Sequence, residues 1–218
     1  VLPESLKEKR PDARFNFKVV SGIVSELKKP VIRELLAINF IFIASFMIMQ
    51  MSSSLFWKEK IGLTDVQMGN TFAFIGLATV IVQGGLVGRL VRKFGEFRLL
   101  KYGTYIFIVA MTMLPWVTKA TFIPIELVAL ALIALANGCL TPSITSLLSK
   151  TANHQEVGQV LGVNQSFGSV ARAAGMGMSG FIYGIDFHLP FLLAAALMII
   201  CIWLAANLEN QIRPESPQ

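Results

Sequence analysis

Charge is scarce in this sequence. Charged residues make up 15% of its 218 residues, whereas an ordinary soluble domain has about 25%. The few charges are also unevenly spread, since none occurs from Leu35 to Trp57 or from Gln67 to Gly88. A membrane-spanning helix needs about 20 mostly apolar residues, and a soluble core needs no runs of that length. The sequence therefore predicts an all-α polytopic membrane protein.

Reactive and metal-binding side chains are also few. The two cysteines, Cys139 and Cys201, both lie in apolar runs, which is typical of small packing residues. No metal-ligand spacing, catalytic triad or phosphate-binding loop is visible. We therefore expect no catalytic residues, no metal and no cofactor, and an ATP-driven transporter is disfavoured.

Six apolar segments are long enough to be transmembrane helices. They cover approximately residues 34–57, 66–90, 99–117, 122–148, 157–185 and 188–208. The loops between them are short, which leaves no room for an inserted soluble domain. Residues 1–30 are predicted to be a cytoplasmic linker between two bundles, residues 31–210 the bundle itself and residues 211–218 a cytoplasmic tail. The chain begins at Val1 with a polar segment, and we expect another segment to precede it.

The lysines and arginines indicate the orientation. Of the 19 in the chain, three lie in loops on one side (Lys58, Lys60 and Lys119), and Arg172 lies within the fifth span. The other fifteen fall on the opposite side. Because cytoplasmic loops carry an excess of lysine and arginine, both termini are predicted to be cytoplasmic, in a multi-pass protein of the inner membrane. The same rule explains the net charge of +6 without any nucleic-acid partner.

The loop after the second span contains a recognisable pattern, "GRLVRKFGEFR". Gly88, Arg92, Lys93, Gly95 and Arg98 resemble the conformational-loop signature of the major facilitator superfamily, G-x-L-x-D-R-x-G-R-R. In that family the signature follows the second helix of each six-helix half. Arg92 occupies the acidic position of the signature, so a salt-bridge latch centred on an acid is not expected here.

Two further segments are similar to efflux proteins of the tetracycline and multidrug type. "LPESLKEKRP" resembles the end of their sixth helix. "GVNQSFGSVARAAG", residues 162–175, resembles their eleventh helix, although Met176 replaces the proline of the family pattern. The resemblance implies the C-terminal half of a twelve-helix transporter, built as two inverted three-helix repeats and partnered by an N-terminal six-helix half.

Arg172 is a lone charge near the middle of the fifth span. A charge at the bilayer centre costs about 2.5–3.5 kcal/mol on insertion scales, so this side chain is expected to face protein or water. Two interpretations remain open. Arg172 is either a structural residue bonded to backbone carbonyls, or it faces an aqueous cavity and binds an anionic group or a carboxylate of the other half.

Other polar residues at mid-depth extend the candidate site. In the family, the first, fourth and fifth helices of this half tend to face the cavity or the partner half. The resemblance therefore implies a substrate-binding set of Asn39, Gln50, Asn137, Gln165 and Arg172. For each residue taken singly, an interhelical hydrogen bond without any ligand is the favoured interpretation, and only the set as a whole indicates binding.

Three further features carry structural predictions. Small residues recur every four positions in the fifth span (Gly158, Gly162, Ser166 and Ser169, Ala173, Gly177), a pattern that lets helices approach closely. Pro142 is expected to interrupt the fourth span. Glu126, near the outer end of that span, is expected to be an interfacial residue, although it is the best-placed carboxylate for proton coupling in this half.

These observations together predict a secondary transporter that exports small hydrophobic compounds, such as drugs, by alternating access with proton coupling. Its partners would be the lipid bilayer, a small-molecule substrate and the N-terminal half. The alternatives are a uniporter or symporter for a small polar metabolite, and a self-associating channel or membrane scaffold.

Overall fold

The chain folds into α-helices. The computed structural model describes residues 29–153 and 156–212, and these ranges contain no β-strand. The α-helices are α1 (Pro30–Phe56), α2 (Asp65–Ile81), α3 (Gly88–Phe94), α4 (Glu96–Met113), α5 (Leu127–Thr151), α6 (Val157–Ile185) and α7 (Leu189–Ile212). The predicted all-α class is confirmed. The predicted linker, up to residue 28, and the predicted tail, from residue 213, lie outside the described residues.

Short π-helical turns extend three of these helices. Trp57–Ile61 continues α1, Val82–Val87 joins α2 to α3, and Phe122–Glu126 leads into α5. The second predicted span is therefore α2, a π turn and α3 in succession. Single π turns within α-helices are rare and often mark functional positions.

Each of the six predicted spans falls on a helix, but the spans differ in hydropathy. In the described ranges, five helical segments are long and apolar enough to cross a membrane: Pro30–Ile61, Asp65–Gly85, Glu96–Trp116, Phe122–Thr151 and Leu189–Glu209. The sixth, α6, has 29 residues, about 43 Å of helix, which exceeds the roughly 30 Å hydrocarbon core. Its many glycines and polar residues, including Asn164 and Arg172, lower its hydropathy.

The helix contacts are symmetric about the middle of the bundle. α1 packs along α6 and α7, α5 packs along α2 and α4, and α4 packs along α7. If each span is matched with the span three places later, the α1–α7 contact corresponds to α5–α4, and α1–α6 corresponds to α5–α2. Matched helices are an odd number of spans apart and so run in opposite directions. This is the arrangement of two inverted three-helix repeats.

The core lies between α1, α4, α5 and α7. Leu35 on α1, Leu100 and Phe107 on α4 and Ile133 on α5 are fully buried there. Both cysteines also belong to the buried set, and both are free thiols. The Cys201 sulfur lies 3.8 Å from the carbonyl oxygen of Ile38, so it serves as a small packing residue between α7 and α1.

The packing stripe of α6 differs from the predicted one. Gly158, Gly162 and Gly177 have open space where a side chain would be, and the other members of the predicted ladders are exposed. The stripe that contacts α1 consists instead of Gly168, Ala171, Gly175 and Ser179, all buried. Since α6 carries small residues on more than one face, the four-residue spacing alone did not select the face in contact.

The two repeat-related helices α2 and α6 leave large surfaces uncovered. No residue of α2 is buried, and its apolar Val66, Leu77 and Val80 are at least 62% exposed. The start of α2 is set locally, because the Thr64 hydroxyl accepts a hydrogen bond from Gln67 N while the Gln67 side chain accepts from Thr64 N. This reciprocal cap satisfies backbone donors that packing does not cover.

Candidate functional site

A polar cavity lies where α1, α5 and α6 meet. Its volume is about 210 Å³, and its polar lining consists of Asn39, Asn137, Thr141, Thr145, Asn164, Gln165 and Arg172. Apolar side chains of α1, among them Phe42 and Phe46, complete the wall. Four of the five predicted substrate-binding residues therefore border one cavity, although they come from three helices far apart in sequence.

Gln50 is the member of the predicted set that lies elsewhere. It borders a more apolar cavity of about 290 Å³, together with Trp57 and Phe72. Asn39 and Gln50 are eleven residues apart on α1, which corresponds to about 16 Å along a helix. Asn39 therefore reaches the polar cavity, whereas Gln50 lies about three turns further along α1, toward the end of the helix near Trp57.

Arg172 has only a weak contact. Its Nη2 lies 3.5 Å from the hydroxyl of Ser169, one turn earlier on α6, at the limit of hydrogen-bond distance. In the described part of the chain no carboxylate lies within salt-bridge distance of it. The side chain is half-buried, so its positive charge borders the cavity without a neutralising partner among the described residues.

Asn164 is a cavity residue that the predicted binding set left out. It is 8% exposed, and its side-chain oxygen is buried without a hydrogen-bond partner in the described structure. Asn164, Gly168 and Arg172 are spaced four residues apart and so share one face of α6. The four-residue spacing between Arg172, Gly168 and Asn164 could have indicated from the sequence that Asn164 belongs to the predicted substrate-binding residues.

α5 supplies the cavity with a short polar ladder. The Thr141 hydroxyl donates to the side-chain oxygen of Asn137 at 2.9 Å, and the Thr145 hydroxyl donates to the Thr141 carbonyl at 2.9 Å. The predicted interruption at Pro142 is wrong, because α5 runs through this proline as one helix. At Gly138 a Cβ would lie 2.6 Å from Cγ1 of Val82, so this glycine permits close packing against the second span.

Glu126 is buried, contrary to the expected interfacial position. It is 1% exposed, and its Oε1 accepts a hydrogen bond of 3.0 Å from the indole nitrogen of Trp57. Its Oε2 has no hydrogen-bond partner in the described structure. The fourth span therefore carries a buried acid near the end opposite the basic loops.

The loop between the second and third spans turns at a single glycine. Gly95 has φ of +77° and ψ of 159° between α3 and α4, a conformation available mainly to glycine. Arg92, Lys93 and Arg98 are exposed around it. Glu96, directly after the turn, accepts hydrogen bonds from Ser146, at 3.0 Å, and from Lys150, and so ties the start of α4 to the end of α5.

Comparison with known proteins decides the family. A family model described as Major Facilitator Superfamily matches residues 1–176 and, in a second match, residues 120–218. The chain belongs to the major facilitator superfamily. In this superfamily chain the loop carries an acid at Glu96, which accepts hydrogen bonds from Ser146 and Lys150. The sequence pattern did not reveal the Glu96 contacts, because its partners lie fifty residues later.

Curated relatives of this superfamily chain include bacterial drug-resistance proteins. Multidrug resistance protein 2 of Bacillus subtilis (strain 168) is 27% identical over 209 residues, covering 94% of this chain and 51% of the relative. Multidrug resistance protein 1 of the same organism is 28% identical over 171 residues, covering 78% of this chain and 43% of the relative. The chain thus spans about half the length of these relatives, or less.

A solved structure of the superfamily shares the fold. The crystal structure of the human organic anion transporter MFSD10 (TETRAN) aligns with a TM-score of 0.74 and 22% sequence identity. The alignment covers 80% of this chain and 40% of that chain. The likeness shows the same helical architecture, in a piece that corresponds to less than half of the solved transporter.

Proposed function

We propose that this bundle is the C-terminal half of a secondary active transporter that exports small hydrophobic compounds by alternating access, in exchange for protons. The observation that supports this most directly is the polar cavity. It gathers Asn39, Asn137, Gln165 and Arg172 from three helices into one opening. Sites for small organic ligands typically combine an apolar wall with a few convergent polar groups.

The size of the cavity supports a site shared with a second bundle. Its volume of about 210 Å³ is below the roughly 300–1,000 Å³ of typical small-molecule sites. In transporters built from repeats, the substrate lies at the interface between the halves. We infer that this cavity is the part of the binding site contributed by this half, and that an N-terminal bundle completes it.

The exposed face of α6 supports the same conclusion. Gln165, Ser166 and Ser169 are exposed there, and Arg172 is half-buried beside them. The two serine hydroxyls donate to their own helix backbone, but the Gln165 amide and the arginine need water or protein partners. A face of this kind fits a second bundle or a water-filled cavity and does not fit lipid.

A second candidate substrate class follows from Arg172. Because this guanidinium borders the cavity without a carboxylate partner among the described residues, it is available to an anionic group. One solved relative is described as an organic anion transporter. A small anionic metabolite, carried by uniport or symport, is therefore the alternative.

The experiment is to express this bundle with and without an N-terminal six-helix bundle of the same transporter, in cells that lack their own efflux pumps. We expect the bundle alone to give no resistance to ethidium or tetracycline, and the pair to restore it. Full resistance from the bundle alone would contradict the proposal. Export of fluorescein, an organic anion, without export of ethidium would favour the second substrate class.

A further inference from the structure

The outer end of the bundle contains a buried acid that the polar cavity does not use. Glu126 accepts one hydrogen bond, from the Trp57 indole at 3.0 Å, and the side chains of both residues are almost fully buried. The second carboxyl oxygen has no partner within the described structure. A buried polar group without a partner normally has a specific reason to persist.

This carboxyl group lies where two π turns meet. Trp57 is the first residue of the π turn that extends α1, and Glu126 is the last residue of the π turn that leads into α5. α1 and α5 are the first helices of the two inverted repeats. The hydrogen bond therefore joins equivalent helices of the two repeats at two locally irregular turns, where backbone rearrangement is easier than in a regular helix.

Among the residues that the structure describes, no charged group neutralises Glu126. The charged residues nearest to the pair in sequence or at the start of α2 are Lys58, Glu59, Lys60, Asp65 and Lys119. All five are exposed, and in the described part of the chain none lies within salt-bridge distance of Glu126. The polar side chains that α2 contributes to the wall beside Glu126 are all uncharged, namely Gln67, Asn70 and Thr71. Within the described ranges, the environment therefore offers the ionised carboxylate one neutral donor and no cation.

Two cavities border the pair, although both side chains are almost fully buried. Glu126 borders an open cavity of about 380 Å³ on the α2 side, lined also by Gln67, Asn70 and Phe122. Trp57 borders the separate cavity that contains Gln50. Phe72 of α2 packs on the Trp57 ring with centroids 5.1 Å apart, so a movement of α2 changes the packing around the hydrogen bond.

We propose that Glu126 is the proton-binding residue of this bundle, and that Trp57 is the positioning residue that holds its carboxyl group between the two cavities. This inference rests on the proposed proton-coupled transport and names the group that would couple proton movement to substrate movement. In the inward-accessible step, Oε2 releases its proton to water in the adjoining cavity. In the outward-accessible step, Oε2 takes one proton from water, and the indole donates to Oε1 in both forms.

The direct test follows protonation through tryptophan fluorescence and needs no substrate. The chain has three tryptophans, and the other two, Trp116 and Trp203, are 73% and 63% exposed. In lipid nanodiscs, a form of the complete transporter with Trp116→Phe, Trp203→Phe and phenylalanine at every tryptophan of the N-terminal half would report on Trp57 alone. We expect its emission to change in a single transition as the pH is varied.

Two variants assign that transition. Glu126→Gln keeps an acceptor for the indole but cannot ionise, so the transition should disappear, together with the carboxylic acid C=O band in infrared difference spectra. Glu59→Gln, an exposed acid two residues after Trp57, is the matched control and should leave both signals in place. Absence of the transition in the parent protein, or its persistence in Glu126→Gln, would overturn the proposal.

The transport test separates coupling from stability. In everted membrane vesicles, Glu126→Gln should lose ethidium accumulation driven by a pH gradient but keep downhill ethidium movement at wild-type abundance. A parallel loss of uphill transport, downhill transport and abundance would assign Glu126 a purely structural role. If the wild type shows the fluorescence transition but moves no ethidium, the efflux proposal fails and the proton-binding assignment stands.

Discussion

At the scale of single residues, two ionisable groups stand out because neither has an oppositely charged partner among the described residues. Arg172, on α6, borders the polar cavity. Glu126 lies in the π turn that leads into α5 and is buried against Trp57. An isolated ionisable group inside a membrane protein is costly to keep. Its presence is more readily explained by a ligand or a proton than by folding.

Substitution of Arg172 distinguishes a role in ligand binding from a structural role. We expect Arg172→Leu to weaken the binding of an anionic substrate by about 1.5–3 kcal/mol, or about ten- to a hundredfold in affinity, because a charged hydrogen bond is lost. Arg172→Lys should fall in between, since lysine keeps the charge but not the planar fork. The measurement is the substrate concentration dependence of transport, beside the abundance of each variant in the membrane.

The control for this prediction is Arg33→Leu, an exposed arginine at the start of α1, which should change transport little. If Arg172→Leu lowers membrane abundance in parallel with transport, Arg172 is a structural residue.

At the scale of helices, the contact between α1 and α6 depends on small residues. A Cβ at Gly175 would lie 2.6 Å from the carbonyl oxygen of Ala44. One turn later, the Ser179 and Ser52 hydroxyls are 2.8 Å apart, and the Ser179 hydroxyl also lies 3.2 Å from the Ile48 carbonyl oxygen. Small residues and interhelical hydrogen bonds are the usual means of close helix packing in membranes.

Gly175→Ala should therefore destabilise the bundle even though alanine is the better helix former. Overpacking of a close contact costs about 1–3 kcal/mol, whereas the gain in helix propensity is at most about 1 kcal/mol. Gly177→Ala, two residues away in open space, is the matched control and should be neutral or slightly stabilising. Thermal unfolding of this bundle in detergent measures both, and equal midpoints for the two variants would refute the contact.

At the scale of the whole molecule, the predicted orientation rests on the distribution of lysine and arginine. A cysteine at Lys119 should react with a membrane-impermeant maleimide in intact cells, and a cysteine at Lys93 only after permeabilisation. The native Cys139 and Cys201 are buried and should give little background in the folded protein. Labelling of the Lys93→Cys variant in intact cells would contradict the predicted orientation and indicate the opposite one.

The sequence by itself determined the membrane class, the six helical segments and the family. These properties depend on local composition, on the length of apolar runs and on short motifs such as the turn at Gly95, where only one residue type is favourable. It also identified Arg172 as a charge that must avoid lipid, because the cost of exposing it there does not depend on the rest of the fold.

Only the tertiary structure decided which face of each helix meets which neighbour. Small residues lie on several faces of α6, and contact with α1 selects Gly168, Gly175 and Ser179 over the more regular ladders. The same packing unites Asn39, Asn137, Gln165 and Arg172 in one cavity and leaves Gln50 outside it. It also buries Glu126 against Trp57, 69 residues away in sequence. Such contacts depend on how the helices rotate and cross, and no local sequence pattern specifies that rotation.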